Sequence, residues 1–148
     1  MTALPPIHAN AVAGFGPRGW RAVLIEGESG AGKSELTLRL LGRGWRLVSD
    51  DYSLVWASGD RLYVAAPPTI VDRIEGRGVG ILSFPALTLA EAVLVIEGDD
   101  APERLPEPAV RQVAGLSLPL IRLDLHGPAA VELVDAAMRR LPPAPGLA

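Results

Sequence analysis

The chain contains no cysteine, which excludes disulfide bonds and thiolate metal sites. It also lacks a long hydrophobic run, since apolar stretches such as residues 92–96 are far shorter than the roughly 20 residues of a membrane-spanning helix. The first eight residues contain neither a basic cluster nor an apolar core, so no secretory signal is indicated. These absences predict a soluble, cytoplasmic protein with no membrane partner.

An excess of charge of either sign is missing as well. The 14 Lys and Arg residues against 17 Asp and Glu residues give a net charge of −3, with no long run of one sign, so no nucleic-acid partner is expected. What the chain does have is length and hydrophobicity for one core: 148 residues, 49% of them hydrophobic. We expect a single domain over residues 1–148, with the proline-rich residues 141–148 as a frayed tail.

The hydrophobic pattern predicts a sheet with few helices, of the α/β or α+β class, and leaves the strand order open. Short β-branched or aliphatic segments bounded by Gly, Pro or Asp predict strands. These segments are residues 9–14, 22–26, 47–49, 53–57, 62–65, 93–97 and 120–125. Helical spacing of apolar residues predicts helices over residues 33–41 and 129–141.

One motif carries a specific chemistry. Residues 27–34 fit Gly-x-x-x-x-Gly-Lys-Ser at every defined position, between an apolar strand and a Leu-rich helix. Its glycines allow close backbone approach, so the N–H groups and the positive end of the helix can face phosphate oxygens. Lys33 would neutralise the β- and γ-phosphates, and Ser34 is placed to ligate Mg²⁺. The predicted phosphate-binding residues are Gly27, Glu28, Ser29, Gly30, Ala31, Gly32, Lys33 and Ser34.

A phosphate loop needs a carboxylate that holds the metal or accepts a proton, and two strand ends offer one. The segment Leu-Val-Ser ends in the pair Asp50–Asp51, and the segment over residues 92–96 ends in Glu97. The paired aspartates are the better candidates, because neighbouring side chains at a strand end point to opposite sides and one can face the site. Glu97, as the acid of a Walker B strand, is the alternative.

A second glycine motif completes a familiar order of motifs. Residues 73–81 place charged residues among glycines ahead of an apolar pair, which by itself predicts a flexible turn. Together with the phosphate loop and Arg-Gly-Trp-Arg-Leu-Val-Ser-Asp-Asp at residues 43–51, it resembles the catalytic domain of HPr kinase/phosphorylase. That family has a signature similar to Ile-Glu-Gly-Arg-Gly-Val-Gly-Ile at residues 74–81, a histidine matched by His8 and a downstream arginine matched by Arg104.

The resemblance covers about residues 7–140 and implies a fold. That fold is the phosphoenolpyruvate-carboxykinase type of P-loop kinase, with a mixed sheet, assembled as a homo-hexamer. The resemblance also implies a Mg²⁺-dependent transfer of a phosphoryl group from ATP, with pyrophosphate as a second donor, to a serine of the phosphocarrier HPr. Asp51 would be the general base and Lys33 would hold the transferred group, while Ser34 and Glu75 would ligate Mg²⁺. The other residues expected to line the site are Asp50, His8, Arg77 and Arg104.

Two departures from the family pattern qualify these expectations. The family has a separate N-terminal domain for which residues 1–6 leave no room, so a short form with the catalytic domain alone is expected. The family's Arg-Pro-Gly-Arg-Asn loop, associated with the reverse, phosphorolytic reaction, is replaced by His-Gly-Pro at residues 126–128, which leaves that reaction open. The competing hypotheses are a small-molecule P-loop kinase or nucleotide hydrolase and a nucleotide-sensing module without catalysis.

Overall fold

Ten strands and two α-helices make up residues 4–141, the part of the chain that the computed structural model describes. Of the predicted tail over residues 141–148, all but Leu141 lies outside the described residues. The strands are β1 Asn10–Gly16, β2 Gly19–Glu26, β3 Arg46–Ser49, β4 Leu54–Ser58, β5 Arg61–Ala65, β6 Arg73–Gly76, β7 Gly80–Ser83, β8 Ala90–Gly98, β9 Ala109–Val113 and β10 Leu116–Leu123. The helices are α1 Lys33–Leu41 and α2 Ala130–Arg139.

Eight of the strands form one mixed sheet. Its main path runs β3-β1-β2-β8-β10-β9, and the hairpin of β6 and β7 stands apart from it. Strands β2, β8 and β10 are parallel, whereas β1 is antiparallel to both of its neighbours. The β4–β5 hairpin pairs with the first residues of β8, and β10 pairs with its last four. A mixed sheet with few helices confirms the predicted fold class.

Both helices cover the same face of the sheet. Strand side chains alternate between faces, so Val23 and Ile25 of β2 point to the helices while Ala22 and Leu24 point away. Leu36 and Leu40 of α1, with Val131 and Val134 of α2, complete the core on the helical face. Neither helix, at nine and ten residues, is long and apolar enough to cross a lipid bilayer.

The carboxyl ends of four strands meet at one edge of the sheet. Strands β2, β8 and β10 are parallel, and β3 runs in the same direction because both β2 and β3 are antiparallel to β1. The segments that follow these strands therefore open at the same edge: the glycine loop after β2, the aspartate pair after β3 and the connection from β10 to α2. Ligands of open sheets containing parallel strands bind outside such an edge.

The sequence prediction located both helices and seven strands, with differences at the ends. Helix α1 has the predicted bounds, and α2 is shorter by one residue at its start and two at its end. Strand β10 begins at Leu116 rather than at residue 120. Pro119 is tolerated there because β10 pairs only with β9 before Leu120 and, within residues 4–141, has no partner strand on its other side.

Three strands were not predicted. The glycine motif at residues 73–81 forms the β6–β7 hairpin, in which only residues 77–79 are a turn. Strand β9 was missed because Arg111 and Gln112 interrupt its hydrophobic pattern at the edge of the sheet.

Replacing Leu94 by alanine tests the helical-face core. Its fully buried side chain on β8 faces α1 and α2, so we expect Leu94→Ala to lower the free energy of unfolding by about 2–5 kcal/mol in urea denaturation. Leu133→Ala, on the half-exposed side of α2, is the matched control and should change it by less than about 0.5 kcal/mol. Equal losses in the two variants would contradict the assigned packing.

Candidate active site

The glycine loop between β2 and α1 adopts a conformation that glycine alone adopts easily. Gly30 and Gly32 have φ angles of 85° and 105°, and Gly32 directly precedes the first residue of α1. The Ala31 N–H donates to the Glu28 carbonyl at 2.9 Å and closes a turn. The loop therefore presents backbone N–H groups and the positive end of α1 to the open edge of the sheet.

Lys33 lies inside this loop rather than in solvent. Its side chain is only 6% exposed, and Nζ donates to the carbonyl oxygens of Gly27 at 2.7 Å and Glu28 at 3.2 Å. A buried ammonium at the end of the loop is a fixed positive charge for a phosphate group. The role of Lys33 toward a phosphate stays a prediction.

Asn10, at the start of β1, connects three segments from a fully buried position. Its Nδ2 group donates to Asp50 Oδ1 at 2.9 Å and to Thr37 Oγ1 at 3.0 Å, which uses both of its hydrogens. Its Oδ1 atom accepts the backbone N–H of Asp51 at 2.8 Å. Asn10 thereby holds the aspartate pair against helix α1.

Asp50 has its carboxylate oxygens occupied by protein donors. Oδ1 accepts from Ser34 Oγ at 2.7 Å as well as from Asn10, and Oδ2 accepts from the backbone N–H of Glu75 at 3.0 Å. These bonds link the carboxylate to α1, β1 and β6. Asp50 therefore orients the Ser34 hydroxyl and fixes the β6–β7 hairpin at the site.

Asp51 is oriented differently from its neighbour. Its backbone is in the left-handed region at φ 68°, which aspartate tolerates better than most residues, and its side chain is 54% exposed. Oδ1 lies 2.8 Å from His8 Nε2, and the His8 ring stacks on Tyr52 with centroids 5.1 Å apart. A two-bond bridge between Ile7 and Ser53, at 2.9 Å each, holds His8 beside the aspartate.

These groups surround a cleft of about 600 Å³, which we call the loop cleft. It is lined by Ser29, Gly30, Gly32, Lys33, Ser34, Glu35, Leu38, Asp50, Asp51, Glu75, Gly76, Arg77, Val79, Leu82 and His126. Six of the predicted residues with side-chain roles thus lie around one space: Lys33, Ser34, Asp50, Asp51, Glu75 and Arg77. Their catalytic and metal-binding roles stay predictions.

Five predicted site residues lie outside that lining. Three of them, Gly27, Glu28 and Ala31, belong to the glycine loop and line a second cleft on its other side. His8 reaches the loop cleft through its bond to Asp51. Arg104 lies exposed in the connection between β8 and β9 and does not line the loop cleft. Its proline-rich surroundings make this position difficult to predict from sequence.

The donor set of the loop cleft fits Mg²⁺. Within residues 4–141, no three acidic or histidine side chains converge to hold a metal ion by themselves. Mg²⁺ typically takes one or two protein oxygens and completes its shell with water and substrate phosphates. Ser34 Oγ and the Glu75 carboxylate are oxygen donors of that kind on the same cleft.

Glu97, the alternative acid, lies in an ion-pair cluster on the other side of the loop. Its carboxylate is 3.2 Å from Arg111 Nη2 and 3.1 Å from Arg122 Nε, and Arg111 also pairs with Glu26 at 3.0 Å. These groups line a second cleft, with Gly27, Glu28 and Ala31 of the loop on its other wall. Because two arginines neutralise Glu97 there, Asp51 remains the better candidate for a base.

Sequence reasoning missed two residues of the site, Asn10 and His126. A lone asparagine at the start of an apolar strand was the available signal for Asn10, since a buried amide needs partners. His126 follows the parallel strand β10 at the same edge as the loop, and it contacts Glu35 and Gly30. In the sequence, its only signal is its place in the His-Gly-Pro segment at residues 126–128.

A glycine loop between a parallel strand and a helix, with an aspartate pair across the cleft, defines a P-loop fold of the kinase type. The sequence profile described as HPr Serine kinase C-terminal domain matches residues 11–95, more than half of the chain. The chain therefore belongs to the HPr serine kinase C-terminal domain family.

Individual relatives agree with this assignment. The chain is 38% identical over 117 residues to the HPr kinase/phosphorylase of Enterococcus faecalis, covering 70% of this chain and 38% of that protein. It is 36% identical over 131 residues to that of Cupriavidus necator, covering 79% and 41%. The solved Hpr(Ser) kinase/phosphatase of Coxiella burnetii superimposes with a TM-score of 0.76 at 27% identity, covering 92% of this chain and 89% of that one. The matches thus span about 40% of these two sequence relatives.

Removing the Asn10 amide tests the organisation of the site. We expect Asn10→Ala to lower the free energy of unfolding by about 1–3 kcal/mol, because the Asp51 N–H and the Asp50 carboxylate lose buried partners. Urea denaturation measures this loss. Ser58→Ala, on the exposed end of β4, is the control that should change little. An Asn10→Ala variant as stable as that control would show that the network does not hold the aspartates.

Proposed function

We propose that this chain is the catalytic domain of a Mg²⁺-dependent protein serine kinase that phosphorylates an HPr-type phosphocarrier. Family membership supports the reaction class, because the relatives carry the names HPr kinase/phosphorylase and Hpr(Ser) kinase/phosphatase. Cytoplasmic location and assembly as a homo-oligomer, a hexamer by family resemblance, belong to the same proposal.

The proposal rests on the different environments of the two aspartates. The Asp50 carboxylate is bonded to Ser34, Asn10 and Glu75. The Asp51 carboxylate, on the same cleft as Lys33, is bonded to His8 and remains half exposed. One acid can therefore organise the metal and loop side of the cleft while the other accepts a proton from an incoming hydroxyl.

The chemistry of the transfer follows from this arrangement. The hydroxyl oxygen of the acceptor serine forms a bond to the terminal phosphorus of the donor, and the bond from that phosphorus to the bridging oxygen breaks. The serine proton passes to Asp51, whose bond to His8 keeps the carboxylate directed at the cleft. Lys33 and the loop N–H groups stabilise the negative charge on the phosphoryl oxygens.

Ser34 and Glu75 would hold Mg²⁺, which when bound neutralises the phosphate charge of the donor. ATP is the proposed donor, and pyrophosphate is proposed as a second one, since the N–H groups of the loop and Lys33 would bind the phosphates that both donors share. Arg77, which lines the cleft beside Glu75, is positioned to contact the donor or the acceptor. His8 and Arg104 complete the proposed set.

The kinase proposal is tested on the carrier itself. Purified protein is incubated with Mg²⁺-ATP and an HPr-type carrier, and the intact mass of the carrier is followed. We expect a gain of one phosphoryl group that is absent when the acceptor serine is replaced by alanine and when Lys33→Ala enzyme is used. Phosphate release without a carrier would favour a nucleotide hydrolase. Nucleotide binding without either reaction would favour a sensing module and refute the proposal.

Substituting the two aspartates separately tests their roles. Asp51→Asn should lower kcat by about 10²–10⁴-fold and leave nucleotide affinity nearly unchanged, because a proton acceptor is lost and no phosphate contact is. Asp50→Asn should instead weaken Mg²⁺-nucleotide binding, since the amide can no longer accept all the bonds that orient Ser34 and Glu75. Initial rates and calorimetric titration separate the two effects. If Asp50→Asn instead lowered kcat alone and Asp51→Asn weakened nucleotide binding, the roles of the two aspartates would be the reverse of those proposed.

A further inference from the structure

His126, in the connection between β10 and α2, contacts the glycine loop and lines the loop cleft together with the aspartates. We propose that His126 is a positioning residue that holds the loop in its phosphate-binding conformation. The inference rests on the phosphate-binding part of the proposed function and does not depend on which acceptor is phosphorylated. It assigns a role to a histidine of this chain that the arrangement of the aspartates does not require.

The contacts of the ring are with three residues of the loop and of helix α1. Nδ1 lies 2.9 Å from Glu35 Oε2, and Nε2 lies 3.3 Å from the carbonyl oxygen of Gly30. The ring also lies directly against Gly32, where a Cβ atom would come within 2.9 Å of Cε1. The histidine backbone is held in turn, because its N–H donates to Asp124 Oδ1 at 3.1 Å.

Both partners of the ring are acceptors only. A carboxylate and a carbonyl oxygen cannot donate, so in each contact the ring nitrogen is the donor. The Gly30–Ala31 peptide is then fixed at both ends, with its carbonyl bonded to His126 and its N–H bonded to the Glu28 carbonyl. A peptide group held in this way cannot rotate without breaking two hydrogen bonds.

The fixed peptide determines where the rest of the loop points. The backbone N–H groups of Gly30, Gly32 and Lys33 donate no hydrogen bond within residues 4–141 and so remain for an anion. Gly30 and Gly32, at positive φ, would otherwise reorient freely. His126 therefore reduces the entropy that the loop loses when a polyphosphate binds. It should act equally on any donor with two linked phosphates.

His126→Phe is the sharpest test, because phenylalanine keeps an aromatic ring against Gly32 and lacks the two ring nitrogens that contact Glu35 and Gly30. Calorimetric titration with Mg²⁺-pyrophosphate and with Mg²⁺-ADP measures two ligands that share the phosphates and differ in the nucleoside. We expect both affinities to fall by a similar factor of about five to ten, as for the loss of one net hydrogen bond. Glu35→Gln, whose amide oxygen can still accept from Nδ1, should lose less.

Three results would overturn the inference. The first is unchanged affinity for both ligands, and the second is a lower melting temperature with unchanged affinity, which would make the ring a packing residue only. The third is a loss of affinity for ADP alone, which would show that the ring contacts the nucleoside rather than organising the phosphate loop. The titrations need no carrier protein. A chain that shows the expected losses but phosphorylates no carrier would refute the proposed kinase function and leave the role of His126 intact.

Discussion

The Asp50 carboxylate accepts hydrogen bonds from helix α1, strand β1 and strand β6, and the site is organised around this constraint. A buried or half-buried carboxylate needs donors, and here each donor belongs to a segment that carries a functional group. Ser34 lies at the end of the glycine loop, and Glu75 lies on the β6–β7 hairpin. Asn10, which donates to Asp50, also accepts a hydrogen bond from the N–H of Asp51. One set of bonds therefore sets the distance between the phosphate loop and the proposed base.

The direction of the strands makes this arrangement possible. Parallel β2, β8 and β10 bring three connections to one edge, and β1 delivers Asn10 and His8 to that edge from the opposite direction. The glycine loop consequently lies between two clefts. The one with the aspartates combines a buried ammonium with the oxygen atoms of Ser34, Asp51 and Glu75, which suits phosphoryl transfer. The one with Glu97 is occupied by mutually neutralised ion pairs, which suits a structural role.

Short stretches of sequence were enough to predict the phosphate loop and most of the secondary structure. They could not predict contacts between segments that are distant in the chain. The loop, its lysine and helix α1 follow from neighbouring residues, as does the strand that ends at the aspartate pair. The contacts of Asn10 join residues 27 to 41 positions apart, and those of His126 join residues more than 90 apart, so no window of sequence contains them. Glycines concealed the β6–β7 hairpin, because they weaken strand propensity where Asp50 in fact anchors the backbone of Glu75.

The proposed transfer requires the terminal phosphate of the donor to bind between Lys33 and Asp51. A crystal structure with Mg²⁺ and a non-hydrolysable ATP analogue tests it most directly. We expect the terminal phosphate in the loop cleft, in contact with the Lys33 ammonium. The metal ion should lie on Ser34 Oγ, and Asp51 should face the phosphorus from the side open to an acceptor. A terminal phosphate in the cleft of Glu97 and Arg111, with Asp51 facing only solvent, would refute the proposed transfer.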